Sequence, residues 1–163
     1  MAGEYVCEVP DKVWVYTLKY IISNIDTFAF NPNDIHMLWV VNGGHIRGRV
    51  SNDQLVLSWL KLTLPKYTGG ELELYRGECK FLYDQGLIGF CWTPKMEVAE
   101  KFAMGLNAIE SGGVLLKTKI GPEAILSAPN IHSKDLLGES EFTCDPTKLG
   151  QVEVLKSYKK YSK

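Results

Sequence analysis

Apolar positions in the first part of the chain recur at helical spacing. From Asp11 onward, Trp14, Leu18, Ile21, Ile22 and Ile25 fall on one face of a 3.6-residue repeat. The β-rich run Val13-Trp14-Val15-Tyr16 blurs where that helix starts. Asn31-Pro32-Asn33-Asp34 opens a second helix, with a cap, a proline at the first helical position and an acid in the first turn. Ile35, Leu38 and Trp39 supply its apolar face, and Asn42-Gly43-Gly44 predicts its end. Ser51-x-x-Gln54 reads as a capping box. Leu55, Val56, Trp59, Leu60 and Leu62 then continue a third helix, which Pro65 closes before the turn at Tyr67–Gly70.

At Glu71 the period changes from helical to alternating. Strands are predicted over 71–76, 89–92, 113–120, 141–145 and 151–157. Val114, Leu116, Thr118 and Ile120 alternate with Leu115, Lys117 and Lys119, as in a half-buried strand. A helix over 94–106 interrupts them. Thr93 suits its N-cap and Pro94 its first position, and Val98, Ala99, Phe102 and Ala103 repeat along one face. The expected fold class is α+β: N-terminal helices packed on a mainly antiparallel β core, in a single domain over 1–163. Residues 11–64 form its mostly helical part and 71–157 its strand-rich part, after a loose lead-in at Met1–Pro10.

Composition narrows the function classes. The chain has 163 residues, 45% hydrophobic and 23% charged, with a net charge of −1. That balance argues against a dedicated nucleic-acid binder. Cys7, Cys79, Cys91 and Cys144 form no Cys-x-x-Cys pair and no cluster with histidine, so neither a zinc site nor a disulfide framework is expected. No apolar run is long enough to span a bilayer and no signal pattern opens the chain, so the expected place of work is the cytoplasm. The glycine-bracketed basic run His45-Ile46-Arg47-Gly48-Arg49 is either a phosphate cradle or a solvated loop. The basic tail at Lys156–Lys163, with its interleaved tyrosines, is either a contact for nucleic acid or an acidic partner, or a solvated, frayed end.

Three short stretches could carry chemistry. Tyr75-Arg76-Gly77 ends a strand with an arginine, whose guanidinium can grip a pyrophosphate, beside a glycine that lets a ligand approach. Cys91-Trp92-Thr93 stands where a strand meets a helix. Glu139-Ser140-Glu141 carries two carboxylates at i and i+2, which in a strand share one face about 6–7 Å apart. Such a pair can stabilise an oxocarbenium-like transition state and orient a nucleophile. Each stretch has a plain alternative: a surface ion pair, a capped helix, and the solvent-facing side of an edge strand. Phe102 belongs to the core or flanks a ligand, Phe90 likewise, and His132 lies in a loop that could meet a target.

Taken in order, Arg76, Cys91-Trp92-Thr93 and Glu139-x-Glu141 resemble the R-S-E class of mono-ADP-ribosyltransferases, over about residues 71 to 156. The short form is similar to stand-alone bacterial or phage-type members. The resemblance implies a split β core and NAD as co-substrate. Arg76, with Tyr75 and Gly77, would lie on the NAD phosphates. Cys91, Trp92 and Thr93 would shape the pocket, and Phe102 would border the nicotinamide. Glu141 would be catalytic, and Glu139 would act on the acceptor side. Glu139 in the first position resembles the arginine-modifying members, so the acceptor it implies is an arginine of a host or partner protein. Cys91 departs from the family's usual serine, which puts that hydrogen bond in question. The same fold would also serve an NAD glycohydrolase, a transferase acting on nucleic acid or a small molecule, or a binding or inhibitory module without chemistry.

Overall fold

The computed structural model describes residues 10–160. The expected lead-in up to Val9, with Cys7, and the last three residues of the tail lie outside them. The chain divides into two compact units, Met1–Pro65 and Lys66–Lys163. The division falls a few residues before the point where the hydrophobic period changes. No boundary is drawn from the sequence there.

The first unit consists of three helices packed on one another: α1 (Asp11–Ser23), α2 (Pro32–Val50) and α3 (Asp53–Thr63). Trp14 and Leu18 of α1 are buried as their spacing predicts. Helix α2 does not stop at Gly43-Gly44. It continues because His36, Trp39, Gly43, Ile46 and Val50 form one buried stripe. Burying Ile46 and Val50 stabilises by about 1.5–3 kcal/mol each, which offsets about 1 kcal/mol for each helical glycine. The basic run His45–Arg49 is therefore helix and not a phosphate-cradling loop. Arg47 donates to both carboxylate oxygens of Asp53 at 2.7 Å, and Arg49 pairs with Asp11 at 2.7 Å. The capping residue of α3 is Asn52, whose side chain accepts from the Leu55 N–H at 3.0 Å; Ser51 instead ends α2 in the left-handed region at φ 48°. Leu62, expected on the apolar face of α3, is exposed, and Leu57 is buried instead.

The second unit is α+β. Its strands are β1 (Leu72–Cys79), β2 (Cys91–Trp92), β3 (Gly113–Ile120), β4 (Ile125–Ser127), β5 (Phe142–Cys144) and β6 (Val152–Tyr158). Helix α4 (Lys80–Asp84) follows β1, and α5 (Met96–Met104) follows β2. Two antiparallel sheets result, one in the order β1-β3-β6 and the other β2-β5-β4. A bridge between Tyr75 and Thr93 joins them, with paired backbone bonds of 2.7 and 2.9 Å. Leu74, Val114, Leu116 and Ile120 of the first sheet close on Trp92, Ile125 and Cys144 of the second, which makes the core. On the far face of the first sheet, Ala99 and Ala103 of α5 pack against Leu115.

The alternation in β3 predicts its bounds and one buried face; the other face is covered as well at Leu115, under α5. Other expectations change. Strand β1 runs on to Cys79, so Arg76 and Gly77 lie within it and not at the end of a strand over 71–76. Helix α5 starts at Met96 and not at Pro94, because Thr93 is still pairing with β1. Glu139 and Glu141 precede β5 rather than lying in a strand. Ser140 between them is left-handed at φ 50°, and the Glu139 and Ser140 N–H groups both donate to the Ser133 carbonyl. The tail is ordered further than a frayed end would be: β6 runs to Tyr158, which with Lys156 bonds Glu100 on α5. Among the described residues no helix is long and apolar enough to cross a membrane.

Candidate active site

A cavity of about 210 Å³ opens in the second unit where β1, the β2–α5 junction, α5 and the segment before β5 meet. Tyr75, Arg76, Gly77, Cys91, Trp92, Thr93, Phe102, Glu139 and Glu141 all line it, although they come from four separate parts of the chain. A second hollow of about 310 Å³ shares Val98, Phe102 and Glu139 with it. Phe90 is buried and lies outside the wall.

Strand β1 sorts its side chains by alternation. Leu74, Arg76 and Glu78 face the second sheet, whereas Tyr75 and Gly77 face α5. Gly77 borders the cavity, but the place of its missing Cβ is taken by the Ala99 carbonyl and the Ala103 amide. It is glycine for the approach of the helix, not to leave room for a ligand. The guanidinium of Arg76 is almost enclosed. Its Nε donates to Glu78 Oε2 at 2.7 Å and its Nη1 to the Cys91 carbonyl at 2.7 Å. Burial works against its charge, but the Glu78 carboxylate more than restores it and holds the pKa above the usual arginine value.

Thr93 acts through its hydroxyl. The Oγ1 donates to the Glu139 carbonyl at 2.6 Å and accepts from the Lys95 N–H at 3.1 Å, while Lys95 Nζ donates to the Gly138 carbonyl at 2.8 Å. The β2–α5 junction thus grips the backbone that carries both glutamates. From the other side the buried Ser133 accepts the Glu141 N–H on its Oγ at 2.7 Å.

Glu141 is the most perturbed carboxyl lining the cavity. Its Oε1 is shut off from solvent and has no hydrogen-bond partner among the described residues. Burial pushes its pKa from the usual 4.5 to about 7. The neighbouring Cys91 thiol and the charge of Arg76 pull the other way, while Glu139 adds to the rise. Cys91 lines the cavity beside it. Burial and the neighbouring Glu141 push its own pKa well up, so it stands as a thiol and not a thiolate. Burial also raises the Glu139 carboxyl, which His132 partly offsets. An anchored arginine faces a shielded, ionisable carboxylate with a second carboxylate beside it. This arrangement can bind an anionic group and stabilise positive charge that develops next to it.

Sequence reasoning misses Glu78, Lys95, Asn107 and Ser133. Glu78 has a readable signal, since it sits two residues after Arg76 on one strand face. Asn107, which lines the cavity and donates to the Gly77 carbonyl at 2.7 Å, has none. No protein-family model, curated protein or solved structure matches this chain.

Proposed function

We propose that the cavity binds NAD, releases nicotinamide and transfers ADP-ribose to a protein side chain, arginine in the first instance. The observation that carries this reading is the convergence of Arg76, Thr93 and Glu141 on one cavity, with the Glu141 carboxyl raised to about 7 and one of its oxygens unpartnered. Arg76 takes the diphosphate. Tyr75 and Phe102 offer flat walls to the nicotinamide, while Trp92, its ring in the core, backs the pocket. The bond between the ribose anomeric carbon and the nicotinamide nitrogen breaks, its electron pair leaves with neutral nicotinamide, and the ribose becomes oxocarbenium-like. The Glu141 carboxylate stabilises that charge. The guanidinium nitrogen of the acceptor then bonds the anomeric carbon, and Glu139 takes the proton that the acceptor loses. The cationic nicotinamide ring and the oxocarbenium that follows it both favour the ionised form of Glu141, so the carboxylate gains charge when it is needed.

The test is NAD consumption by the wild type and Glu141→Gln, with mass spectrometry of the products and of a lysate. Nicotinamide release by the wild type, falling at least about a hundredfold in the variant, is expected, together with an ADP-ribose mass increment on a lysate protein. Free ADP-ribose as the only product would make the enzyme a glycohydrolase. No NAD loss in the presence of lysate would remove the enzymatic reading and leave a binding module.

A further inference from the structure

Glu78 is a buried carboxylate that the chemistry above does not use. It is 2% exposed and does not line the cavity. Its Oε2 accepts from Arg76 Nε at 2.7 Å and from the Gly89 N–H at 2.8 Å, and its Oε1 accepts from the Cys79 N–H at 2.9 Å. Two backbone amides therefore fix the carboxylate before it meets the arginine. Arg76 is held on two further sides. Its Nη1 is committed to the Cys91 carbonyl, and a Cβ on Gly89 would run into Nη2 and Cζ. The guanidinium plane cannot turn without breaking a charge-assisted bond. The donors that remain uncommitted among the described residues are Nη2 and the second Nη1 hydrogen.

An arginine on a flexible stem loses rotamer freedom when it grips an anion, and affinity falls accordingly. At Arg76 that freedom is already lost on folding. We propose that Glu78 is a positioning residue that presets Arg76 for a diphosphate, with Gly89 as the floor against which the guanidinium lies. The NAD part of this assignment rests on the function proposed above; the fixing of Arg76 does not. Glu78 also cancels the charge of Arg76, so the gain lies in geometry and not in net positive potential.

The experiment is a double-mutant cycle on NAD binding by calorimetry, using wild type, Glu78→Gln, Arg76→Gln and the double variant, with melting temperatures taken alongside. Glu78→Gln keeps the shape but turns an NH₂ towards one of the N–H groups that the carboxylate satisfies. It is expected to weaken NAD binding by about tenfold or more in the wild-type background. In the Arg76→Gln background it should add almost nothing, because it acts through the arginine. Equal weakening in both backgrounds, or none in either, overturns the assignment. If Glu78→Gln does not fold, Glu78→Asp replaces it in the cycle. It keeps the charge but draws the carboxylate back from Arg76, and the same two outcomes decide.

A wild type that binds no NAD would sink the proposed function without deciding this inference. The decision then rests on the Arg76 Nε–H resonance in ¹⁵N-labelled protein, assigned by its loss in Arg76→Lys against Arg47 and Arg49. A slowly exchanging Nε–H that is lost in Glu78→Gln supports the fixed guanidinium. One that persists unchanged overturns it.

Discussion

At the scale of single residues, burial of Glu141 makes a prediction that concerns stability as well as rate. A carboxyl raised from 4.5 to about 7 binds its proton more tightly in the folded chain than in the unfolded one. The stabilisation this brings is fully present below the unfolded pKa, and it is lost as pH rises through about 7. Ionising the group in place costs about 3 kcal/mol. Glu141→Gln removes that cost, so its melting temperature should exceed that of the wild type at pH 8, with the gap narrowing towards pH 5. A gap that stays constant across that range would mean that Glu141 is not held in a shielded site. The rate moves the other way. If the carboxylate is the working form, kcat/KM for NAD should fall about tenfold per unit below an acid limb near pH 7. Glu139→Gln takes away a neighbouring negative charge that contributes to the rise, so it should move that limb to lower pH.

At the scale of elements, the side of the cavity formed by α5 depends on two glycines. Gly77 on β1 and Gly113 on β3 lie under the helix, where a Cβ would meet backbone atoms of Ala99 and Ala103 that have nowhere to go. Gly77→Ala should therefore cost about 1–3 kcal/mol through overpacking. It should also push Val98 and Phe102 away from the cavity, lowering the melting temperature and raising KM together. An unchanged melting temperature would show that α5 does not sit on the strand as closely as described. The same contacts show what a sequence can disclose. The alternation in β3 is legible because one face is apolar over eight residues. The run of α2 past Gly43-Gly44 is not, because the reason for it is the burial of Ile46 and Val50 on a stripe that local breakers hide. Strand β4 has only three residues and too little pattern to detect. The site residues were legible as types in order, arginine, hydroxyl and paired carboxylates. Their geometry was not: the left-handed turn at Ser140 and the grip of Ser133 arise from contacts six to eight residues apart.

At the scale of the molecule, every residue lining the cavity lies in the second unit, Lys66–Lys163. That unit has its own core, in which Leu74, Trp92, Leu116 and Ile125 close two sheets on each other, and α5 covers its outer face. Its size is within the range of domains that fold independently. The segment that leads into it, Lys66–Gly70, is mostly exposed and pairs with neither sheet. A fragment beginning at Lys66 should therefore unfold cooperatively in denaturant and keep the NAD consumption of the full chain. It should also show the same loss in Glu141→Gln. The comparison separates two roles for residues 11–64. If the fragment folds and turns over NAD but no longer modifies a lysate protein that the full chain modifies, the three helices serve acceptor choice. If it folds and neither binds nor consumes NAD while the full chain does both, the helical unit supplies something that the cavity wall lacks. The assignment of the whole chemistry to the second unit would then fail.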